Sequence, residues 1–191
     1  VTPVSPDVVY IAGQYTGLDK IGVCKSTDGG LNFSEMTSTG TATISNTQIW
    51  YDFTIAVDPA DESHVSVSLV GHFESTDNGA SFNTVSGASQ LHADIHCAKY
   101  SPHFPGRLYL THDGGVSYSD DNFVNIPEIT SNLRVTQIYR FAISATDRTV
   151  TTNGYQDLGS YHSQDGVFTK FGGGDGMNTE IDYTDDNVIY Y

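Results

Sequence analysis

The chain has 191 residues, with 8 Lys+Arg against 23 Asp+Glu for a formal charge of -15, 38% apolar residues, 12 Tyr, 9 Phe and 19 Gly. So few basic residues, scattered along the chain, cannot build the field that displaces counterions from a nucleic-acid backbone. No stretch reaches the roughly eighteen apolar residues of a membrane span, and Cys24 and Cys97 are too few for a disulfide scaffold. The tyrosine-rich, turn-rich composition that remains reads as ordered and all-β.

In chain order, Val1-Thr2-Pro3-Val4-Ser5-Pro6 offers neither a Met nor a cationic signal-peptide start, so a processed or partial chain is expected. Tyr15 and Asp19 fall in the first loop. Ser26-Thr27-Asp28-Gly29-Gly30-Leu31-Asn32-Phe33 is the first of a recurring Ser-x-Asp turn, and Asn32-Phe33-Ser34 within it is formally a glycosylation acceptor. Trp50-Tyr51-Asp52 leads into the strand and turn Thr54-Ile55-Ala56-Val57-Asp58-Pro59. Val65 to Val70 has strand composition, Gly71-His72 is a loop, and Ser75-Thr76-Asp77-Asn78-Gly79-Ala80-Ser81-Phe82 is the second turn. His92-Ala93-Asp94-Ile95-His96 leads into Cys97-Ala98-Lys99-Tyr100-Ser101-Pro102. The strand Leu108 to Thr111 and the turn His112-Asp113-Gly114-Gly115 follow, then a degenerate third turn at Ser119-Asp120-Asp121-Asn122-Phe123. Gln137-Ile138-Tyr139 leads into Arg140-Phe141-Ala142-Ile143-Ser144-Ala145. Beyond it lie Tyr155-Gln156-Asp157-Leu158-Gly159 and a fourth turn, Ser163-Gln164-Asp165-Gly166-Val167-Phe168. Gly172-Gly173-Gly174-Asp175-Gly176 leads into Glu180-Ile181-Asp182-Tyr183-Thr184-Asp185, and Asn187 to Tyr191 reads as one more strand.

The strand and turn units begin at Thr54, Cys97, Arg140 and Glu180, spacings of 43, 43 and 40 residues. A period of that length holding several short alternating strands is what a four-stranded propeller blade requires. The fold expected is therefore an all-β propeller of antiparallel four-stranded blades in one domain, 1-191. Approximate blades are 1-48, 49-90, 91-134, 135-178 and an incomplete 179-191, about four and a half in all, expected to be a fragment of a larger ring.

Ser-x-Asp-x-Gly-x-x-aromatic resembles the Asp-box, or bacterial neuraminidase repeat, and Ser26 to Phe33 and Ser75 to Phe82 match it with Phe in place of the usual Trp. Leu91 to Tyr191 resembles secreted propellers of sortilin and xyloglucanase type through His92 to His96, His112 to Val116, Gln137 to Tyr139, Tyr155 to Gly159 and Gly172 to Gly176. The resemblance implies that Ser26, Asp28, Gly30, Phe33, Ser75, Asp77, Gly79, Phe82, Ser163 and Asp165 are structural. In such a turn the carboxylate accepts backbone N–H groups, Gly supplies the positive φ and the ring packs between blades.

If the strands alternate in direction, these turns mark one face, and the candidate functional residues gather at loops on the other. Ligand-binding candidates there are Trp50, Tyr51, His92, Asp94, His96, His112, Tyr139 and Gln156. Trp50 with Tyr51 reads either as a stacking platform for sugar rings or as core between blades. His92-x-Asp94-x-His96 could put two imidazoles and a carboxylate on one strand face as for Zn²⁺. With no fourth ligand at metal spacing, residues that hydrogen-bond one another are the expectation, with no metal and no cofactor.

Asp113 in its Gly-rich turn is the foremost catalytic candidate, since xyloglucanase-like hydrolases use an Asp in a similar turn, with Asp175 and Asp157 as possible partner carboxylates. Sialidase chemistry is not expected: Arg107, Arg134, Arg140 and Arg148 are the only arginines, and no Arg-Ile-Pro motif is present. The functions expected are carbohydrate or protein binding at the rim, then xyloglucanase-like glycoside hydrolysis, then sortilin-like peptide binding, all outside the cell. The expected partners are carbohydrate or an extracellular protein or peptide, and other blades or domains of a longer chain. Nucleic acid and a membrane span are not expected. Two unpaired thiols are expected, because Cys24 and Cys97 belong to different blades.

Overall fold

The computed structural model describes residues 3–37, 44–45, 48–130 and 136–191. Arg134 and the blade boundary expected between 134 and 135 lie outside the described residues. The chain divides into two compact units, Val1–Ser131 and Asn132–Tyr191. Apart from a short 3₁₀ turn at Ala88–Gln90, the regular structure of the described residues is antiparallel strand.

In the first unit β1 (Val9–Gln14), β2 (Ile21–Ser26) and β3 (Ser34–Glu35) form one sheet, and β4 (Thr54–Val57), β5 (Val65–Ser68), β6 (His72–Ser75) and β7 (Asn83–Thr84) a second. A third sheet holds β8 (Ile95–Tyr100), β9 (Leu108–His112) and β10 (Gly115–Ser119), extended by an isolated bridge between Ser117 and Glu128. In the second unit β11 (Ile138–Ile143), β12 (Thr151–Tyr155), β13 (Gly159–Gln164) and β14 (Val167–Gly172) make a four-stranded sheet, and β15 (Glu180–Ile181) pairs with β16 (Ile189–Tyr190).

A structural repeat underlies the sequence period. After β4, β8, β11 and β15 the loop closes with the same two backbone bonds: Asp58 N to His64 O with His64 N to Asp61 O, and Ser101 N to Arg107 O with Arg107 N to Phe104 O. The other two loops repeat them as Ser144 N to Val150 O with Val150 N to Asp147 O, and Asp182 N to Val188 O with Val188 N to Asp185 O. The residue opening each loop also caps it with a side-chain oxygen: Asp58 accepts the Ala60 N–H at 2.7 Å, Ser101 those of His103 and Phe104, Ser144 those of Thr146 and Asp147, and Asp182 that of Thr184 at 2.8 Å. Asp and Ser recur there because their short polar side chains satisfy the turn's own amides.

The core of the first unit follows from strand alternation. Val23, Val65, Val67, Leu69 and Phe82 join Val8, Tyr10, Ile21 and Ile44 in one buried cluster, and Ile95, Ala98, Leu108, Leu110, Phe123 and Ile126 form a second. All four residues of β5 are buried, so both of its faces are covered; Val65 and Val67 are each worth about 1.5–3 kcal/mol of hydrophobic burial. Cys24 and Cys97 are free thiols.

Three Ser-x-Asp turns share one geometry. Ser26 Oγ donates to Asp28 Oδ1 at 2.7 Å and accepts the Gly30 N–H at 3.0 Å, while Asp28 accepts from the backbone and side chain of Asn32. Ser75 and Asp77 repeat this with Gly79 and Ser81, and Ser119 and Asp121 repeat it with Phe123 and Asn125. The Asn32 bonds come first among the causes that hold the Asp28 carboxyl down at about 2. Two successive residues take positive φ in each turn: Gly29 and Gly30, Asn78 and Gly79, Asn122 and Phe123. Phe123 stands at the glycine position with φ 62, a conformation that costs a side chain about 1–2 kcal/mol, and its ring is buried 4.1 Å from that of His72.

Two expectations about these turns are corrected. Asp165 with Gly166 forms a two-residue hairpin turn between β13 and β14, both at positive φ (51 and 79), because Gln164 pairs directly with Val167 and leaves no room for the longer loop. Phe33 is 41% exposed where Phe82 is 5%, Phe82 packing in the cluster that Val8, Tyr10 and Val23 of the preceding sheet's segment also join.

Candidate functional site

One end of the first unit gathers the loops that sequence reading assigned to the rim. The β5–β6 turn and the lead-in to β8 are joined by Asp94 N to Val70 O at 3.3 Å and Ile95 N to Leu69 O at 2.8 Å, and the β9–β10 hairpin joins them through Asp113 N to Asp94 O at 3.3 Å. Asp113 stands at the tip of that hairpin, since His112 pairs with Gly115 and leaves only Asp113 and Gly114 between the strands.

Asp113 is held from two sides. The Tyr51 hydroxyl donates to Oδ2 at 2.7 Å, and His96 Nε2 lies 2.6 Å from Oδ1. The Tyr51 and His96 rings meet edge to face at 4.9 Å, so all three groups brace one another. His96 reaches Asp113 because the β8–β9 register shifts between Ile95 and Cys97, leaving His96 as the extra residue of a bulge that re-aims its side chain. Trp50 lies 5.8 Å from the Tyr51 ring and is 81% exposed.

Beneath this surface lies Asp52, 0% exposed, its carboxyl set against that of Asp94. Burial first, and then the charge of Asp94, push its carboxyl up to about 6. The carboxylate oxygens of Asp94 and Asp113 come within 4.8 Å of each other.

The remaining histidines depart from expectation. His92, Asp94 and His96 were expected to hydrogen-bond one another along one strand face, but Asp94 has φ 62 and precedes the first residue of β8, so the three do not share a face, and His96 pairs with Asp113. His92 instead stacks on His112 at 5.7 Å. His112, expected as a ligand-binding residue, is buried with Nε2 2.9 Å from Ser117 Oγ, and burial, followed by the neighbouring His92, lowers its pKa. The two glycines after Asp113, read as room for a ligand, are filled by the protein: a Cβ on Gly114 would lie 2.6 Å from the His92 ring, and one on Gly115 2.5 Å from Thr130 Oγ1.

A second polar cluster, which sequence reading missed, sits inside the second sheet. Glu74 takes His72 Nε2 at 2.5 Å and the Ser66 hydroxyl at 2.8 Å on one oxygen, and His64 Nε2 at 2.6 Å on the other. His64 also faces Asp58 at 3.5 Å, and Ser68 lies 2.7 Å from His72 Nδ1. Alternation along β5 and β6, which sets Ser66 opposite Glu74 and Ser68 opposite His72, is the signal that could have found it.

In the second unit Asp175 accepts the Asp157 N–H at 2.9 Å, and Gln156 N–H bonds to Gln137 O. Asp175 thus ties down the β12–β13 loop, and its Gly-rich surroundings have a packing reason, since Gly176 passes over Gly154 and Gly159. Tyr139, half-buried, is the bulged residue of β11, as His96 is of β8.

No family model and no curated protein sequence matches the chain. Solved structures do, two GH74 enzymes among them. The GH74 enzyme of Niastella koreensis is 17% identical, with a TM-score of 0.52 over 99% of this chain and 32% of its own. The GH74 xyloglucanase from Xanthomonas campestris is 17% identical, with a TM-score of 0.54 over 99% of this chain and 33% of its own. The chain therefore spans about a third of the length of either, and the likeness shows the fold: an all-β propeller made of several antiparallel sheets. Among the described residues no helix is long and apolar enough to cross a membrane.

Proposed function

We propose that the end of the first unit bearing Trp50, Tyr51, His96 and Asp113 is a carbohydrate-binding surface of an extracellular β-propeller. The observation that carries this reading is Trp50, an indole 81% exposed beside Tyr51 and next to a carboxylate already oriented by Tyr51 and His96. Sugar rings pack their C–H faces on aromatic faces while hydroxyls donate to carboxylates, and both elements stand together here. The fold likeness to GH74 enzymes, one of them named a xyloglucanase, supports glucan oligosaccharides as the first ligands to try.

Trp50 is the single tryptophan of the chain, so its fluorescence reports on this surface alone. Titration with xyloglucan oligosaccharides is expected to blue-shift and saturate the emission, and Trp50→Ala to weaken binding measured by calorimetry by at least about tenfold. Unchanged emission across a glycan panel would sink the proposal.

A hydrolytic reading is favoured by the Asp94 and Asp113 oxygens within 4.8 Å of each other, close to the separation of about 5–5.5 Å found for carboxyl pairs in retaining glycosidases. Within the first unit, Asp94 is the carboxylate that would partner Asp113. The reading predicts release of reducing ends from xyloglucan that Asp113→Asn lowers by at least about a hundredfold, with binding retained. A wild-type chain that binds the glycan without cleaving it would leave the binding role alone.

A further inference from the structure

We infer that the edge of β1 turned away from β2 is a peptide-binding site, which takes one extended segment of a partner polypeptide antiparallel to β1, with apolar side chains at alternate positions. The site is separate from the sugar surface and does not depend on it. The Ser-x-Asp turns at Ser26, Ser75 and Ser119 follow β2, β6 and β10, so β1, β5 and β9 hold the same place in their sheets. On that edge β5 pairs with β4 and β9 with β8, both antiparallel. The loops agree with this equivalence, since the Gly29 N–H bonds to Asp7 O at 2.8 Å as the Asn78 N–H bonds to Ser63 O at 3.0 Å. The first sheet has the order β1-β2-β3, and among the described residues no strand pairs with the corresponding edge of β1.

The backbone of that edge is set for a ladder. The Tyr15 N–H bonds across the hairpin to Lys20 O at 3.0 Å, and the Ile21 N–H points away from β1 to Ile44 O at 3.1 Å. Alternation then turns the amides and carbonyls of Val9, Ile11 and Gly13 to β2, and those of Tyr10, Ala12 and Gln14 to the open edge. Side chains of an added strand alternate between the two faces of the sheet, and a cavity flanks the edge on each face. The one toward the second sheet, about 370 Å³, is lined in part by Tyr10 and the half-buried Ile55 and Val57. The one on the opposite face, about 390 Å³, is lined in part by Ile11, Gly13 and Cys24, and Ile11 is 48% exposed in the middle of its strand. A site of this kind takes affinity from main-chain bonds and selectivity from the cavities that receive alternate side chains. The segment that fills this place beside β5 is Thr54-Ile55-Ala56-Val57, and it states the partner's chemistry: a short apolar strand without proline.

The probe is a synthetic peptide with the sequence Phe53-Thr54-Ile55-Ala56-Val57-Asp58, added to the full chain at about 1 mM while amide hydrogen exchange is read by NMR. Exchange at Tyr10, Ala12 and Gln14 is expected to slow at least about tenfold, while Val9, Ile11 and Gly13, already bonded to β2, change little. Ala12→Pro should abolish the effect and still fold, because the N–H it removes faces the open edge, where an edge strand accepts proline. Should that variant unfold, a peptide carrying Ile55→Pro and Ala56→Pro replaces it, and is expected to leave the exchange of the wild-type chain unchanged. No slowing at the three amides, equal slowing along all of β1, or the same slowing with the Ala12→Pro chain or the proline peptide overturns the inference. So does protection of these amides that rises with protein concentration before any peptide is added, which would give the edge to a second copy of the chain.

Discussion

Glu74→Ala is expected to destabilise the first unit by about 3–5 kcal/mol, because it leaves the partners of a buried ion-pair network without their acceptor. The side chain of Glu74 is 13% exposed and joins His64, His72 and Ser66, of which His72 and Ser66 are buried. Urea unfolding followed by circular dichroism measures the loss, and a change below about 1 kcal/mol would show that the network is not a source of stability.

The same network sets a pH window. Burial alone would raise the Glu74 pKa, but the hydrogen bonds and charges of His64 and His72 outweigh it and hold the carboxyl below its ordinary value. The stability Glu74 contributes is therefore present above the unfolded glutamate pKa of about 4.3 and lost as pH falls through the folded value. His64 is raised, by its bond to Glu74 first, so its contribution is fully present below the unfolded value of about 6.5 and lost as pH rises through the folded one. Stability from this pair should peak between about pH 4.5 and 6.5, and His64→Gln should flatten the alkaline side of that profile.

Gly154→Ala is expected to cost the second unit more than about 3 kcal/mol, beyond the usual range for overpacking. A Cβ there would lie 1.9 Å from Gly176 O and 2.6 Å from Met177 O, both backbone atoms, so no side-chain rotation relieves the clash. Gly176 is reciprocally tight, 2.1 Å from Gly159 O, and its N–H bonds to Tyr155 O at 2.9 Å. By contrast, Gly173→Ala, with nothing within 4 Å, should be nearly neutral in the same melting experiment. Equal behaviour of the two variants would contradict the close crossing of these strands.

The strands and turns were legible because their signals are local. Ser26, Asp28 and Gly30 satisfy one another within a single turn, so their spacing announces the loop wherever it stands. Phe123 at positive φ was not legible. A bulky residue at a glycine position reads as a broken motif, and only its packing on His72, far away in sequence, compensates the strain.

The candidate site divides in the same way. Trp50, Tyr51 and Asp113 fall in loops whose position follows from strand count, and the structure brings them together. Asp94 and His96 were named for the wrong partnership, because counting alternate residues assumes an unbroken strand. The positive φ of Asp94 and the bulge at His96 break that parity and send His96 to Asp113. Asp52 reads only as part of the Trp50-Tyr51-Asp52 lead-in, since burial is a property of the surrounding sheets and leaves no mark in its neighbours in sequence.

The most direct measurement is calorimetric titration of the wild-type chain and its Trp50→Ala and Asp113→Ala variants with one xyloglucan oligosaccharide. A carbohydrate surface centred on Trp50, Tyr51 and Asp113 predicts saturable binding by the wild type, weakened at least about tenfold in each variant, while the distant Asp28→Ala variant binds as the wild type does. Binding of equal strength in all four proteins, or none in the wild type, would contradict it.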